Sequence, residues 1–236
     1  MLSASIGLEL GGERVELLAH RALWVPARRR VVVADVHLGK EATFRRAGVP
    51  LPRGGLEATL AALDHLVRAT GAAELLVLGD LIHHADGLTS EVRERVVAWR
   101  SSQPVPIRLV RGNHDRAVDR VASAWGVEVI GDHWREGGIV WVHDPGEAEE
   151  GIAHVGGHRH PVVRASGPAE AMRFPCFHLG ARGSLLVLPA FSRFTGGLPV
   201  RRRRGDRVFA VVDRGVSASG LLEVPARGTV DRGRRG

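Results

Sequence analysis

The chain has 236 residues, 44% of them hydrophobic and 25% charged, with a formal net charge of +7. This suffices for one largish domain, or at most two small ones, with an ordinary core. The single cysteine, Cys176, excludes an intrachain disulfide framework and a thiolate metal site.

The opening MLSASIGLELGGERVELL lacks the basic-then-apolar layout of a signal peptide. No apolar run approaches membrane-spanning length. A soluble, cytoplasmic protein is therefore expected. The basic excess is nearly all arginine, since Lys40 is the only lysine. Arginine forks onto phosphate oxygens, which suits a polyanionic partner, although an arginine-for-lysine bias also follows from a GC-rich genome.

In chain order, VELLAH (15–20) and RALWVP (21–26) read as an opening pair of strands, and RRVVVADVH (29–37) as a buried strand. Helical stretches follow over about residues 40–47 and 54–69, then the strand ELLVLGD (74–80). A helix over residues 89–100 carries Val92, Val96 and Trp99 at helical spacing. The strand PIRLVRGNHD (106–115) leads into a short helix around residues 116–124.

Beyond residue 126 strands dominate: VEVI, GGIVWVHD, GIAHVGGH, VVRAS, SLLVLPAF, RVFAVVD and LLEV, with little helix between them. Such a pattern suggests two packed sheets with flanking helices. A single domain over residues 1–224 is expected, with 225–236 a disordered basic tail. RRRRG at 201–205 reads as a solvated loop, phosphate contact being the minority reading.

Five apolar runs end in residues that ligate metals: Asp35 with His37, Asp80, Asn113 with His114 and Asp115, His143, and His158 with His160. Ligands bind beyond the carboxyl ends of strands in open sheets, so these ends are expected to share one rim. In an extended segment residues two apart point the same way, so Asp35 and His37 could grasp one ion, and His158 and His160 could both face the rim. Imidazole with carboxylate and amide oxygen suits manganese, iron or zinc. Seven candidate ligands exceed the needs of one ion and fit two sharing a carboxylate. Asp80, a lone carboxylate between the two groups, is the natural bridge.

The ordered set Asp35-Val36-His37, Gly79-Asp80, Gly112-Asn113-His114-Asp115, His143 and Gly157-His158-Arg159-His160 resembles the calcineurin-like metallophosphoesterases. The resemblance implies an α/β fold: a four-layer α-β-β-α sandwich of two mixed sheets flanked by helices. ADVHLGKEATFRRAGVPLP (34–52), LGDLIHH (78–84) and LPAFSRFTGG (188–197) resemble one branch, the ligase-associated DNA-damage-response endonucleases of the PdeM type.

Carried over by position, this implies two divalent ions, manganese ahead of iron, zinc and magnesium. One would be held by Asp35, His37, Asp80 and His160, the other by Asp80, Asn113, His143 and His158. His114 would act on the phosphate as general acid or charge stabiliser, oriented by Asp115. The expected chemistry is two-metal phosphodiester hydrolysis.

Arg45 and Arg46, with Arg28–Arg30, are candidates to line a nucleic-acid groove, although ordinary surface roles compete. His83 is a candidate for substrate or supporting contact, or for packing. His84, His154 and His178 read as structural or exposed, and Trp99 and Trp125 as core. The expected partner is DNA, single-stranded DNA first, with an ATP-dependent ligase and a helicase implied by resemblance alone. Hydrolysis of nucleotides or small phosphoesters, and a non-cleaving nucleic-acid-binding subunit, are the alternatives.

Overall fold

The computed structural model describes residues 5–146, 151–166, 171–212 and 220–226. The first half forms β1 (Ser5–Leu10), β2 (Glu13–Leu18), β3 (Ala22–Val25), β4 (Arg30–Val33), α1 (Lys40–Arg46), α2 (Gly55–Thr70), β5 (Glu74–Leu78), α3 (Ser90–Ser102), β6 (Ile107–Val110), α4 (Ala122–Trp125) and β7 (Val127–Gly131). These seven strands pair in sequence order, antiparallel from β1 to β4 and parallel from β4 to β7.

The second half forms β8 (His133–Glu136), β9 (Ile139–Val142), β10 (Ala153–Gly156), β11 (Pro161–Ser166), β12 (Ala171–Leu179), β13 (Leu185–Val187), β14 (Leu198–Pro199), β15 (Arg207–Val212) and β16 (Gly220–Val224). This second mixed sheet runs β14-β11-β12-β13-β10-β9-β8, with β15 also on β12 and β16 on β15.

The apolar runs of the first half are continuous because both faces of its sheet are covered. Val31 and Val33 of β4, with Leu75 and Val77 of β5, join a core completed by Leu63, Leu66 and Val67 of α2 and Trp125 of α4. Their neighbours Val32, Leu76 and Leu78 face the other way, onto Trp141, Val155, Phe177 and Phe209 of the second sheet. The period of two thus splits one strand between two cores. Each fully buried Val or Leu contributes about 1.5–3 kcal/mol.

The expected two mixed sheets flanked by helices are present, and every α-helix among the described residues lies between residues 40 and 125. Three expected helices coincide with α1, α2 and α3 to within two residues. The stretch 116–124 instead divides into a 3₁₀ segment, Asp115–Arg120, and α4.

Four strands were not anticipated: β1, β8, β12 and β14. The central β12 contains Pro175, which argues against an interior strand. The strand tolerates it because it changes partners there: residues 171–175 pair with β11, and 176–179 with β15. No helix among the described residues is long and apolar enough to cross a membrane. Residues 227–236, most of the expected disordered tail, lie outside the described residues.

Candidate metal centre

Parallel register aligns the ends of β4, β5 and β6: Val33 lies opposite Val77, and Leu78 opposite Val110. Asp35, Asp80 and Asn113 follow two or three residues later, so they emerge together. Backbone bonds stitch these exits, from Asp35 N–H to Gly79 O (3.2 Å) and from His37 N–H to Asp80 O (2.8 Å). The second sheet repeats the device with β9 and β10, where Gly157 N–H donates to His143 O (2.9 Å). Phe191 N–H donates to Ala34 O (2.8 Å) and Ser192 N–H to Asp35 O (3.2 Å), locking the segment after β13 against the first ligand.

The local conformation differs from the extended segment read from the sequence. Asp35, His37, Asp80, His158 and His160 all have left-handed backbones, with φ of 55°, 52°, 51°, 65° and 42°. The strand has already ended at Val33, and the chain bends at alternate residues, burying Val36 between Asp35 and His37. A left-handed L-residue costs about 1–2 kcal/mol, so strain concentrates on the candidate ligands, as at functional sites generally. Gly79 (φ 74°) has no alternative, because a β-carbon there would collide with the His143 ring.

The side chains converge on two groups, Asp35–His37–His160 and Asp35–Asp80–His143, each with donor atoms within 4.8 Å of one another. Asp35 belongs to both groups and Asp80 to one. His160 Nε2 lies 3.3 Å from Asp35 Oδ1, and His143 Nε2 lies 3.5 Å from Asp80 Oδ1. Asn113 Oδ1 and His158 Nδ1 stand 2.9 and 3.0 Å from His143 Nε2, which brings all seven residues together.

These donors fit a cation better than they fit each other. His143 Nδ1 donates to Leu78 O (3.1 Å) and His160 Nδ1 to Gly196 O (3.2 Å). In the neutral rings each Nε2 is then left with a lone pair aimed at carboxylate oxygen, while Asn113 offers His143 another acceptor. Both ring nitrogens of His37 and Nε2 of His160 are buried without a hydrogen-bond partner. Each orphaned group costs about 1–3 kcal/mol. Burial, followed by the charges of Lys40 and the surrounding histidines, pushes the His37 imidazolium down to about 2, so its ring is a neutral ligand. Oxygen and imidazole donors without thiolate suit a divalent ion such as manganese, iron or zinc.

His114 lies at the mouth, its ring 5.6 Å from and perpendicular to that of His37. Asp115 does not orient it as expected. That carboxylate is spent on the loop, accepting from Gly112 N–H (2.8 Å) and Ile82 N–H (3.1 Å), and burial pushes it up to about 6. The orienting group is the His83 carbonyl, 2.8 Å from His114 Nδ1. The His83 ring stacks between those of His114 (5.4 Å) and Phe44 (5.9 Å). Its imidazolium is pushed down to about 4 by burial, then by Lys40, His114 and His84.

The candidate arginines divide. Arg45 leans on Glu41 (3.8 Å), while Arg46 is exposed at the end of α1. Arg28 and Arg30 pair with Glu13, Glu74 and Glu136 at the opposite end of β4 from Asp35, and Arg29 holds Gly71 O (2.7 Å). Arg28 and Arg30 are compensated, and Arg29 is tied to a carbonyl, away from the rim, which removes all three as groove residues there.

Lys40 is not among the candidates the sequence marks. It is half-buried at the start of α1, with Nζ 3.2 Å from Thr195 Oγ1. Burial lowers its pKa while Asp35 and Asp80 raise it, which places its charge beside the centre. The available signal was its rarity: a chain that otherwise uses arginine keeps one lysine, three residues after His37.

The profile of the calcineurin-like phosphoesterase family matches residues 28–185, which span every candidate ligand. The chain belongs to the calcineurin-like phosphoesterases. This phosphoesterase is also similar to a crystal structure titled Pseudomonas putida nuclease MPE. The TM-score is 0.75 at 31% identity, over 88% of this chain and 96% of that one. No curated protein sequence matches the chain. Family and donor set together make it a metal-dependent hydrolase of phosphoesters.

Proposed function

We propose that this phosphoesterase is a manganese-dependent phosphodiesterase that cleaves DNA, of the PdeM type and serving DNA repair, with Asp80 as the carboxylate shared by two ions. The carrying observation is the convergence of imidazole nitrogens on Asp35 and Asp80, those of His37 and His160 on Asp35 without hydrogen-bond partners, beside a histidine that is not itself in the cluster. Bound by Asp35, His37, Asp80, Asn113, His143, His158 and His160, divalent ions would offset charge on the non-bridging phosphate oxygens and ease deprotonation of water.

His114 supplies the proton. With Nδ1 donating to the His83 carbonyl, the imidazolium presents its Nε2 proton to the leaving oxygen, a transfer typically worth 10²–10⁴-fold. The Lys40 ammonium, held by Thr195, draws the phosphate into the mouth. The neighbour named as a nuclease supports a polynucleotide over a small ester, as do the PdeM-like stretches 34–52, 78–84 and 188–197.

The test uses chelator-treated protein, with manganese restored, against circular single-stranded DNA, duplex DNA and bis-p-nitrophenyl phosphate. Cleavage of the circle is the expected result. Hydrolysis of the small ester alone would replace the reading with a small-phosphoester hydrolase. DNA binding without any hydrolysis would make the chain a binding subunit.

A further inference from the structure

Outside the metal centre the positive charge is unevenly compensated. Arg28, Arg30, Arg108, Arg111 and Arg207 all pair with carboxylates. Arg201 and Arg204, in the segment between β14 and β15, differ. The neighbouring Asp206 is already engaged by His178 Nε2 (2.9 Å), Arg203 N–H (2.7 Å) and Ala181 N–H (3.2 Å). Arg202 is committed to carbonyls, those of Val224 (2.9 Å), Pro225 (2.8 Å) and Asp206 (3.1 Å). Arg201 and Arg204 are exposed, and no hydrogen bond or ion pair among the described residues takes up their charge.

These arginines line a groove of about 1130 Å³ whose walls include Arg159, Leu198 and Pro199. The groove adjoins the metal centre covalently and by hydrogen bonding. Arg159 stands between the ligands His158 and His160, and Leu198 N–H donates to His160 O (3.1 Å), tying β14 to the ligand-bearing turn. Its volume exceeds the roughly 300–1,000 Å³ of a pocket built for one small molecule. Cationic heads over an apolar floor suit a chain of phosphates bearing sugars and bases.

We propose that this groove holds the sugar–phosphate backbone of a single-stranded polynucleotide as it leaves the metal centre, with the unpaired Arg201 and Arg204 on its phosphates and Arg159, already shared with Asp144 (3.5 Å) and Gly146 O (3.0 Å), at the end nearer the ligands. The proposal deepens the nuclease reading and rests on it. Asp206 and Arg202 are the scaffold: they fix the loop backbone so that the flanking guanidinium groups face outward and only their side chains remain to be ordered on binding. Uncompensated like charges along one loop repel each other, and an incoming polyanion relieves that repulsion while releasing its own counterions.

The experiment measures binding of a fluorescein-labelled single-stranded oligodeoxynucleotide by anisotropy across a salt series, with manganese present and His114→Ala as background to slow cleavage. Removing both free arginines (R201A/R204A) is expected to weaken binding about ten-fold at low salt. The slope of log K against log salt should fall by about 1.4, at roughly 0.7 per phosphate contact on a single strand. A charge-matched control, R14A/R68A, removes arginines already paired with Glu16 and Asp64 and is expected to change neither.

Melting curves check that each variant folds, and the single variants R201A and R204A, each with half the slope change, carry the test should the double variant unfold. Equal slopes for groove and control variants would overturn the proposal, as would absence of DNA binding by the parent. Cleavage of bis-p-nitrophenyl phosphate without DNA cleavage would instead sink the nuclease reading, and the anisotropy would still report on the groove.

Discussion

The two sheets contribute unlike halves of one site. The first, backed by helices, delivers Asp35, Asp80 and Asn113 from three parallel strand ends and buries both carboxylates almost completely, at 0% and 2% exposure. The second delivers His143, His158 and His160, imidazole donors, and leaves His158 exposed at the mouth. All of the carboxylate charge comes from the first side, whereas the second adds imidazoles alone. The carboxylates make the centre attractive to cations, whereas the imidazoles complete coordination that the carboxylates have begun. Two buried carboxylates without cations would repel across a medium that screens poorly, so the first sheet carries most of the electrostatic demand for metal.

Removing charge from the first sheet should therefore have the largest effect. Asp80→Asn keeps the shape and tolerates the left-handed backbone better than Ala would. It is expected to lower hydrolysis of bis-p-nitrophenyl phosphate by at least about 10³-fold and to abolish the rise in Tm that manganese produces. Saturation at 100 times Kd contributes about 2.7 kcal/mol, which a thermal melt resolves. His158→Ala, from the second sheet, should retain part of that rise. Equal loss in both variants would show that the sheets do not divide the work in this way.

His114 tests the boundary between holding metal and moving protons. His114→Ala is expected to cost about 10²–10⁴-fold in kcat while leaving the manganese-dependent rise in Tm intact, because the ring bonds to the His83 carbonyl and not to the cluster. A variant that lost the rise would place His114 among the ligands.

What the sequence revealed follows the same division. Apolar runs ending in Asp, Asn or His were legible because strand composition and ligand identity are both local. So were α1, α2 and α3, whose period survives in the chain. Conformation after the strand ends was not local: nothing in ADVH or GHRH marks Asp35, His37, His158 and His160 as left-handed, a geometry imposed by backbone bonds to residues far away. The orienter of His114 was missed for a related reason, since a backbone carbonyl has no letter. β12 was hidden by Pro175, which is acceptable only because the strand exchanges partners at that point.

Lys40 joins the two halves, because its helix follows the first-sheet ligands while Nζ reaches Thr195 in the segment between β13 and β14. Lys40→Met keeps the aliphatic stem and removes the charge. It is expected to lower kcat/KM about ten-fold, equivalent to about 1.4 kcal/mol, with Lys40→Arg restoring part. An unchanged kcat/KM in the Met variant would leave Lys40 a structural role only.

The smallest effect belongs to the second sheet alone. Burial pushes the Asp206 carboxyl up, but the Arg203 N–H, His178 and the Ala181 N–H outweigh it and hold the group below its usual range. A carboxyl with a depressed folded pKa adds stability above its unfolded value of about 3.9, and that contribution disappears as pH falls through the lower folded value. Asp206→Asn should therefore melt about 2–4 °C lower at neutral pH, close to 1 kcal/mol for a chain of this size. The gap between variant and parent should narrow as pH drops below about 4. Because Asp206 pins the arginine loop and touches no candidate ligand, the variant should keep its manganese-dependent rise in Tm, which separates the groove's scaffold from the metal centre's.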